Sequence, residues 1–143
     1  MTYTYKHPHP AVTTNVVIFT VLDAKLRLLL IRRPREPFKG YWALPGGFIS
    51  LDEDLTASAS RALERETGMT GVYLEQLYTF GRPDRDPRER VITVAYYALV
   101  PAARVAARDD GEVAWFALDT LPALALDHQE IVALAAERVK AKL

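Results

Sequence analysis

Between Leu44 and Met69 the chain reads LPGGFISLDEDLTASASRALERETGM. Two glycines, Gly46 and Gly47, lead into an acidic cluster and a helix-like run that Gly68 closes. A glycine pair lets backbone approach a ligand closely, because no Cβ intervenes. Carboxylates just downstream are the oxygen donors that hard cations such as Mg2+ take, usually together with substrate phosphates. Glu66 is the residue whose position asks for an explanation. On a helical wheel Leu55, Ala59, Ala62 and Leu63 form an apolar stripe, and Glu66 falls within it. Arg61, Glu64 and Arg65 fall off the stripe. A carboxylate on a buried face is costly unless it is paired or bound to a cation. Glu66 therefore either escapes to solvent at the helix end or faces a cleft where a cation sits.

The elements that must hold these residues follow from pattern. The sequence predicts a central helix over Asp54 to Thr67, with Ser50 and Glu53 as a capping box and Gly68 as its C-terminal stop. VTTNVVIFTVL and KLRLLLIRR read as two strands joined by a hairpin, and RRPREPFKG as loop. YWALPGGFIS reads as a short strand entering a turn. GVYLEQLYTF, VITVAYYALV and EVAWFAL read as further strands, separated by the charged loop GRPDRDPRER and the polar connection PAARVAARDDG. The tail from Asp127 forms a helix with Ile131, Leu134, Ala135 and Val139 on one face. Strands split by one internal helix do not make a Rossmann alternation. They fit an α/β fold in which a mixed β-sheet is sandwiched between helices.

The chain as a whole sets limits. At 143 residues it is expected to form one domain over 1–143, with residues 1–11 a loose arm. In that arm His7 and His9 stand among prolines, which suits a frayed terminus better than a metal site. Eighteen Lys and Arg balance eighteen Asp and Glu, which argues against gripping nucleic acid as the main task. There is no cysteine, so disulfides and thiolate metal sites are excluded. No signal peptide and no long apolar stretch is visible, so neither membrane binding nor export is expected and the cytoplasm is the expected location.

The spacing around Gly47 resembles the Nudix box, G-x5-E-x7-R-E-U-x-E-E-x-G-U with U a bulky aliphatic. Gly47, Glu53, Arg61, Leu63, Glu66, Gly68 and Met69 fall in register with it. Ala62 and Arg65 depart, standing where the family carries two glutamates. The resemblance implies a Nudix (MutT-like) fold and metal-assisted hydrolysis of a nucleoside diphosphate derivative. It assigns Mg2+ or Mn2+ to Glu66 and Glu53, and catalysis to Glu66, Glu53 and Arg61. Glu53 also fits a capping role, and Arg61 a pair with a nearby carboxylate. The three metal-binding helix positions, Ala62, Arg65 and Glu66, sum to zero charge here, where the family pattern has three negatives. Asp109, Asp110 and Glu112 on one loop, or Asp84, Asp86 and Glu89 on another, are candidate replacement acids.

Beyond the box, segments from Tyr73 onward resemble the branch of the family related to ADP-ribose, which includes transcriptional regulators of NAD metabolism. The implied ligand is an ADP-ribose-like nucleoside diphosphate derivative, either hydrolysed or simply bound by a non-catalytic sensor domain. Its binding residues are expected to be Gly46, Gly47, Arg65, Arg82, Arg85, Arg88, Tyr41 and Phe80. Arg65 is of special interest, because a guanidinium fork can hold a diphosphate without metal. His128 has the side chain of a base but, at a helix start, better suits a structural hydrogen bond. The regulators carry a winged helix for DNA. This chain ends at Leu143, so direct DNA binding is not expected of it. A homodimer is expected by analogy with the branch, with VAYYALV as a candidate contact.

Overall fold

The computed structural model describes residues 4–104 and 110–143. Its spine is β1 (Ala11–Leu22), buried from Thr13 to Thr20 on both faces of the sheet. Its β-branched and apolar residues, with Thr13, Thr14, Asn15 and Thr20 buried among them, suit a strand covered on both faces. β1 pairs antiparallel with β2 (Lys25–Arg32) through a tight hairpin, and parallel with β6 (Val91–Leu99) on its other side. The sheet order is β3-β2-β1-β6-β5, with β3 (Trp42–Ala43) and β5 (Glu75–Phe80) outermost. β4 (Gly46–Phe48) pairs with the N-terminal half of β1, and β7 (Val113–Ala117) with β2. One parallel pair among antiparallel ones makes the sheet mixed, as expected.

The two-residue period of β1 divides the core. Val16 and Ile18 face one side, where they join Ala59 and Leu63 of α1 (Leu55–Thr67). Val17 and Phe19 face the other, where they join Ile131, Val132, Ala135 and Val139 of α2 (His128–Lys142). Each helix thus covers one face, and each fully buried Leu or Ile contributes about 1.5–3 kcal/mol relative to exposure. Leu134 is only half-buried, and Val132 takes the fuller share of that contact.

Local details differ from the sequence reading in three places. α1 is capped by Asp54, whose Oδ1 accepts from the Leu55 N–H at 2.8 Å. The expected Ser50 and Glu53 capping box does not form, because the Glu53 carboxylate is drawn to Arg61 instead. The PGGF segment is strand as well as turn, since Gly46–Phe48 pair with Thr13–Asn15. β5 begins at Glu75, later than the apolar pattern from Gly71 implied. Gly68 does close α1, in left-handed conformation with φ 81°, its N–H donating to the Glu64 carbonyl.

Candidate functional site

The site grows from the approach of β4 to β1. Gly46 lies opposite Asn15 in the ladder with φ +155°. A Cβ at this position would stand 2.1 Å from the Thr14 carbonyl oxygen, a backbone atom that has no room to retreat. Glycine is therefore required for the close approach itself. The same residue ties the strand to the helix, because the Gly46 N–H donates to Glu66 Oε1 at 2.9 Å.

Glu66 thus does not escape to solvent. It lines a cleft of about 260 Å³ together with Asn15, Arg33, Gly46, Gly47 and Arg88. Burial pushes its carboxyl above the usual range, against the Gly46 N–H and the charges of Arg65 and Arg33. Burial also lowers the Arg33 guanidinium, and the neighbouring charge of Arg88 lowers it further. Arg33 leaves the end of β2 and is fixed by its Nε donating to the Pro37 carbonyl at 2.7 Å. Asn15 has its amide orientation set from behind: buried Thr93 donates to Oδ1 at 2.7 Å, which leaves Nδ2 as the free end near Gly46.

The charged loop 81–90 forms the far wall. Asp86 accepts from Arg88 through both oxygens, at 3.0 and 2.6 Å, and Arg88 lies over the Phe48 ring at 5.1 Å. Arg85 reaches inward to Asp127 at the start of α2. Beside it His128 is buried, its Nδ1 accepting from the Leu44 N–H at 3.0 Å. Burial pushes this imidazole down to about 4. A neutral ring holding a backbone amide is a structural part, which agrees with the reading of His128 as a hydrogen-bonding residue.

Gly46, Gly47, Glu66, Arg85 and Arg88 are therefore brought to one cleft. Arg65 lies at its margin, with Nη2 3.6 Å from where a Gly47 Cβ would be. Glu53 and Arg61 stand apart as a pair: Arg61 Nε donates to both Glu53 oxygens at 3.0 and 2.9 Å, and Nη2 approaches Oε1 at 2.8 Å. Their hydrogen bonds hold Glu53 below the usual carboxyl range. Arg82 is exposed and bridges Asp84 and Glu130, beside a shallow hollow that shares Arg85 and Leu126 with the cleft. Tyr41 is exposed and meets Phe38 edge-on, while Phe80 packs half-buried against the core and Tyr78.

Of the candidate replacement acids, Asp86 reaches the cleft wall but is engaged by Arg88. Asp84 pairs with Arg82, and Glu89 is exposed. Asp110 accepts from the Glu112 and Val113 N–H groups and so shapes the turn before β7. Asp109 lies outside the described residues. Among the described residues no group of three or more His, Cys, Asp or Glu is placed to hold a metal ion. Ala62, where a second acid would stand, is buried at 2% exposure. The donor set therefore does not fit a divalent cation held by several helix carboxylates. Arg33 and Asn15 were not singled out from sequence. The doubled arginine at the end of β2 was the only signal for Arg33. Asn15 follows two threonines in a strand of otherwise β-branched and apolar residues, and nothing in that pattern marks it out.

Comparison with known proteins places this geometry. The NUDIX domain family model matches residues 12–135. The chain is 38% identical over 142 residues to the ADPR responsive transcriptional repressor NtrR of Acinetobacter baylyi, covering 95% of this chain and 57% of the repressor. It thus spans little more than half the length of that relative. It is also 38% identical over 125 residues to an ADP-ribose pyrophosphatase of Methanocaldococcus jannaschii, covering 87% of this chain and 72% of the enzyme. Among solved structures, the NUDIX domain of Shewanella oneidensis NrtR complexed with ADP ribose is similar at a TM-score of 0.84 and 35% identity, covering 96% of this chain and 94% of that one.

Proposed function

The chain belongs to the Nudix family, and from that premise we propose that it binds an ADP-ribose-like nucleoside diphosphate derivative in the cleft between β4, the end of β2 and the loop before β6. The observation that carries this reading is the charge pattern of that cleft. Arg33 and Arg88, the latter paired with Asp86, line it together with the close backbone of Gly46 and Gly47, and α1 delivers only Glu66 among its acids. Such a site favours a doubly charged phosphate anion, which guanidinium forks hold with paired hydrogen bonds. The adjoining hollow at Arg82 and Phe38 offers room for the rest of the ligand.

Within this reading Glu66 orders β4 and faces the diphosphate, and Arg61 with Glu53 fixes the loop that carries Gly47 into α1. Tyr41 and Phe80 line neither the cleft nor the hollow, so as contacts for base or ribose they rest on the family resemblance alone. Family hydrolases use divalent metal ions in general. Hydrolysis of ADP-ribose to AMP and ribose 5-phosphate in Mg2+ or Mn2+ is then the weaker capacity of this chain, since Ala62 and Arg65 replace two acids. A second reading, a sensor domain that binds without turnover, is favoured by the same two replacements and by the likeness to an ADPR-responsive repressor.

Calorimetric titration with ADP-ribose, beside an assay for AMP release in Mg2+ and in Mn2+, tests both. Saturable binding without AMP release leaves the sensor reading. Binding with fast release leaves the enzyme. No binding and no release overturns the ligand assignment. We also propose a cytoplasmic homodimer that makes no direct contact with nucleic acid; the balanced charge supports the last point. Sedimentation and a DNA mobility shift check these. No helix among the described residues is long and apolar enough to cross a membrane.

A further inference from the structure

We infer that the positive charge opposite the ligand's diphosphate is supplied by Arg33 and Arg65 in place of a divalent cation. This rests on the ligand reading above and goes further, because it assigns the charge to the chain itself. Three observations lead to it. First, the acids that would gather a cation are committed or missing. Glu53 is engaged by Arg61, Asp86 by Arg88, and positions 62 and 65 carry alanine and arginine. Second, the arginines are under-used. Arg33 spends its Nε on the Pro37 carbonyl, and among the described residues neither Arg33 nor Arg65 forms an ion pair. Third, they converge. Both act on the Glu66 carboxyl electrostatically, and Arg65 Nη2 comes within 3.6 Å of the Cβ position of Gly47, a residue of the cleft wall.

The charge balance agrees with the geometry. Asp86 offsets Arg88 and Glu66 accepts from the Gly46 N–H, so Arg33 and Arg65 keep donors that an anion can take. Burial and then the charge of Arg88 lower Arg33, while Asp86 and Glu66 act the other way, and a diphosphate would act with those carboxylates. Arg65, placed on α1 where the family has an acid, turns a cation ligand into an anion ligand by one change of sign.

The test uses the full chain, titrated with ADP-ribose and separately with inorganic pyrophosphate, in EDTA and in Mg2+. Wild type is expected to bind both in EDTA, more weakly as ionic strength rises. Arg33→Gln and Arg65→Gln should each weaken binding in EDTA by about tenfold or more, the worth of a charge-assisted hydrogen bond. Arg65→Lys, which keeps charge but loses the fork, should fall between. Arg65 is exposed, so its variants report binding even if Arg33→Gln disturbs the loop. Loss of wild-type binding in EDTA with recovery in Mg2+ overturns the inference and leaves the ligand reading standing. Unchanged affinity in Arg65→Gln overturns it as well. If ADP-ribose binds under neither condition, the ligand reading fails. Pyrophosphate then decides the charge assignment: binding in EDTA that Arg65→Gln weakens supports it, and no binding overturns it.

Discussion

Arg85 and Asp127 form a buried bidentate ion pair, Nε to Oδ2 at 2.8 Å and Nη2 to Oδ1 at 2.6 Å. It joins the loop before β6 to the start of α2, beside the cleft. With side chains 1% and 5% exposed, neither partner has water to replace the other. Asp127→Ala should therefore cost about 3–5 kcal/mol, because it strands a buried guanidinium. Replacing both, as Arg85→Met with Asp127→Leu, should cost less than the single change. Urea unfolding of the three proteins measures this. A loss under about 1 kcal/mol for Asp127→Ala, the range of an exposed pair, would show that the bridge is not structural.

Gly46→Ala tests the close approach of β4. Its Cβ would meet the Thr14 carbonyl oxygen at 2.1 Å, so the strand must move away from β1. That movement also breaks the Gly46 N–H bond to Glu66. The expected outcome is a loss of about 1–3 kcal/mol, as for other overpacked sites, with ADP-ribose binding reduced further than stability. Gly68→Ala, at a left-handed position that does not itself line the cleft, is the control. It should lower stability without touching affinity in the folded protein. Equal effects of the two changes on affinity would remove Gly46 from the site.

The sequence carried the architecture because the architecture is written in periodicities. The β-branched run of β1, the stripe on α1 and Gly68 at its end each have one structural meaning. The site was legible where it is local: Gly46, Gly47 and Glu66 lie within one strand-to-helix unit. It was not legible where it depends on pairing across the fold. Nothing in GRPDRDPRER shows that Arg85 turns inward to Asp127, forty-two residues on, while Arg82 stays at the surface with Glu130. Arg33 joins the cleft only because β2 ends beside β4's partner strand, a fact of sheet order. Glu53 fitted a cap by spacing. Its preference for Arg61 follows from the greater strength of a charged, bidentate contact over a single backbone bond.

His128 gives the stability a pH dependence. Its folded-state pKa, about 4, lies below the ordinary 6.5, with burial as the main cause and Arg85 and Arg33 acting the same way against Asp127 and Asp86. Above pH 6.5 the ring is neutral in both states, and its contribution is fully present. As pH falls from 6.5 towards 4, the unfolded chain takes up a proton that the native ring refuses, so stability falls. The full effect is about 3 kcal/mol, at about 1.4 kcal/mol per pH unit. Below 4 it levels off. His128→Asn, whose carbonyl can still accept from the Leu44 N–H, should flatten this part of the curve. Unfolding free energies of both proteins between these limits test it. Parallel curves would mean that His128 is not the group responsible.

Restoring the family's acids with Ala62→Glu and Arg65→Glu tests what limits turnover. Ala62 is buried at 2% exposure, so a carboxylate there lacks both water and a partner. The double variant should lose about 1–3 kcal/mol without metal, the cost of burying a polar group unpaired. Mg2+ should then stabilise the variant and leave the wild type nearly unaffected, because a ligand that binds only the folded state raises its melting temperature. If charge at the cleft is the limit, the variant gains Mg2+-dependent AMP release from ADP-ribose, and its binding in EDTA weakens as Arg65 is lost. A thermal shift by Mg2+ without added turnover would show that the cation returned but the missing carboxylates were not what held the reaction back.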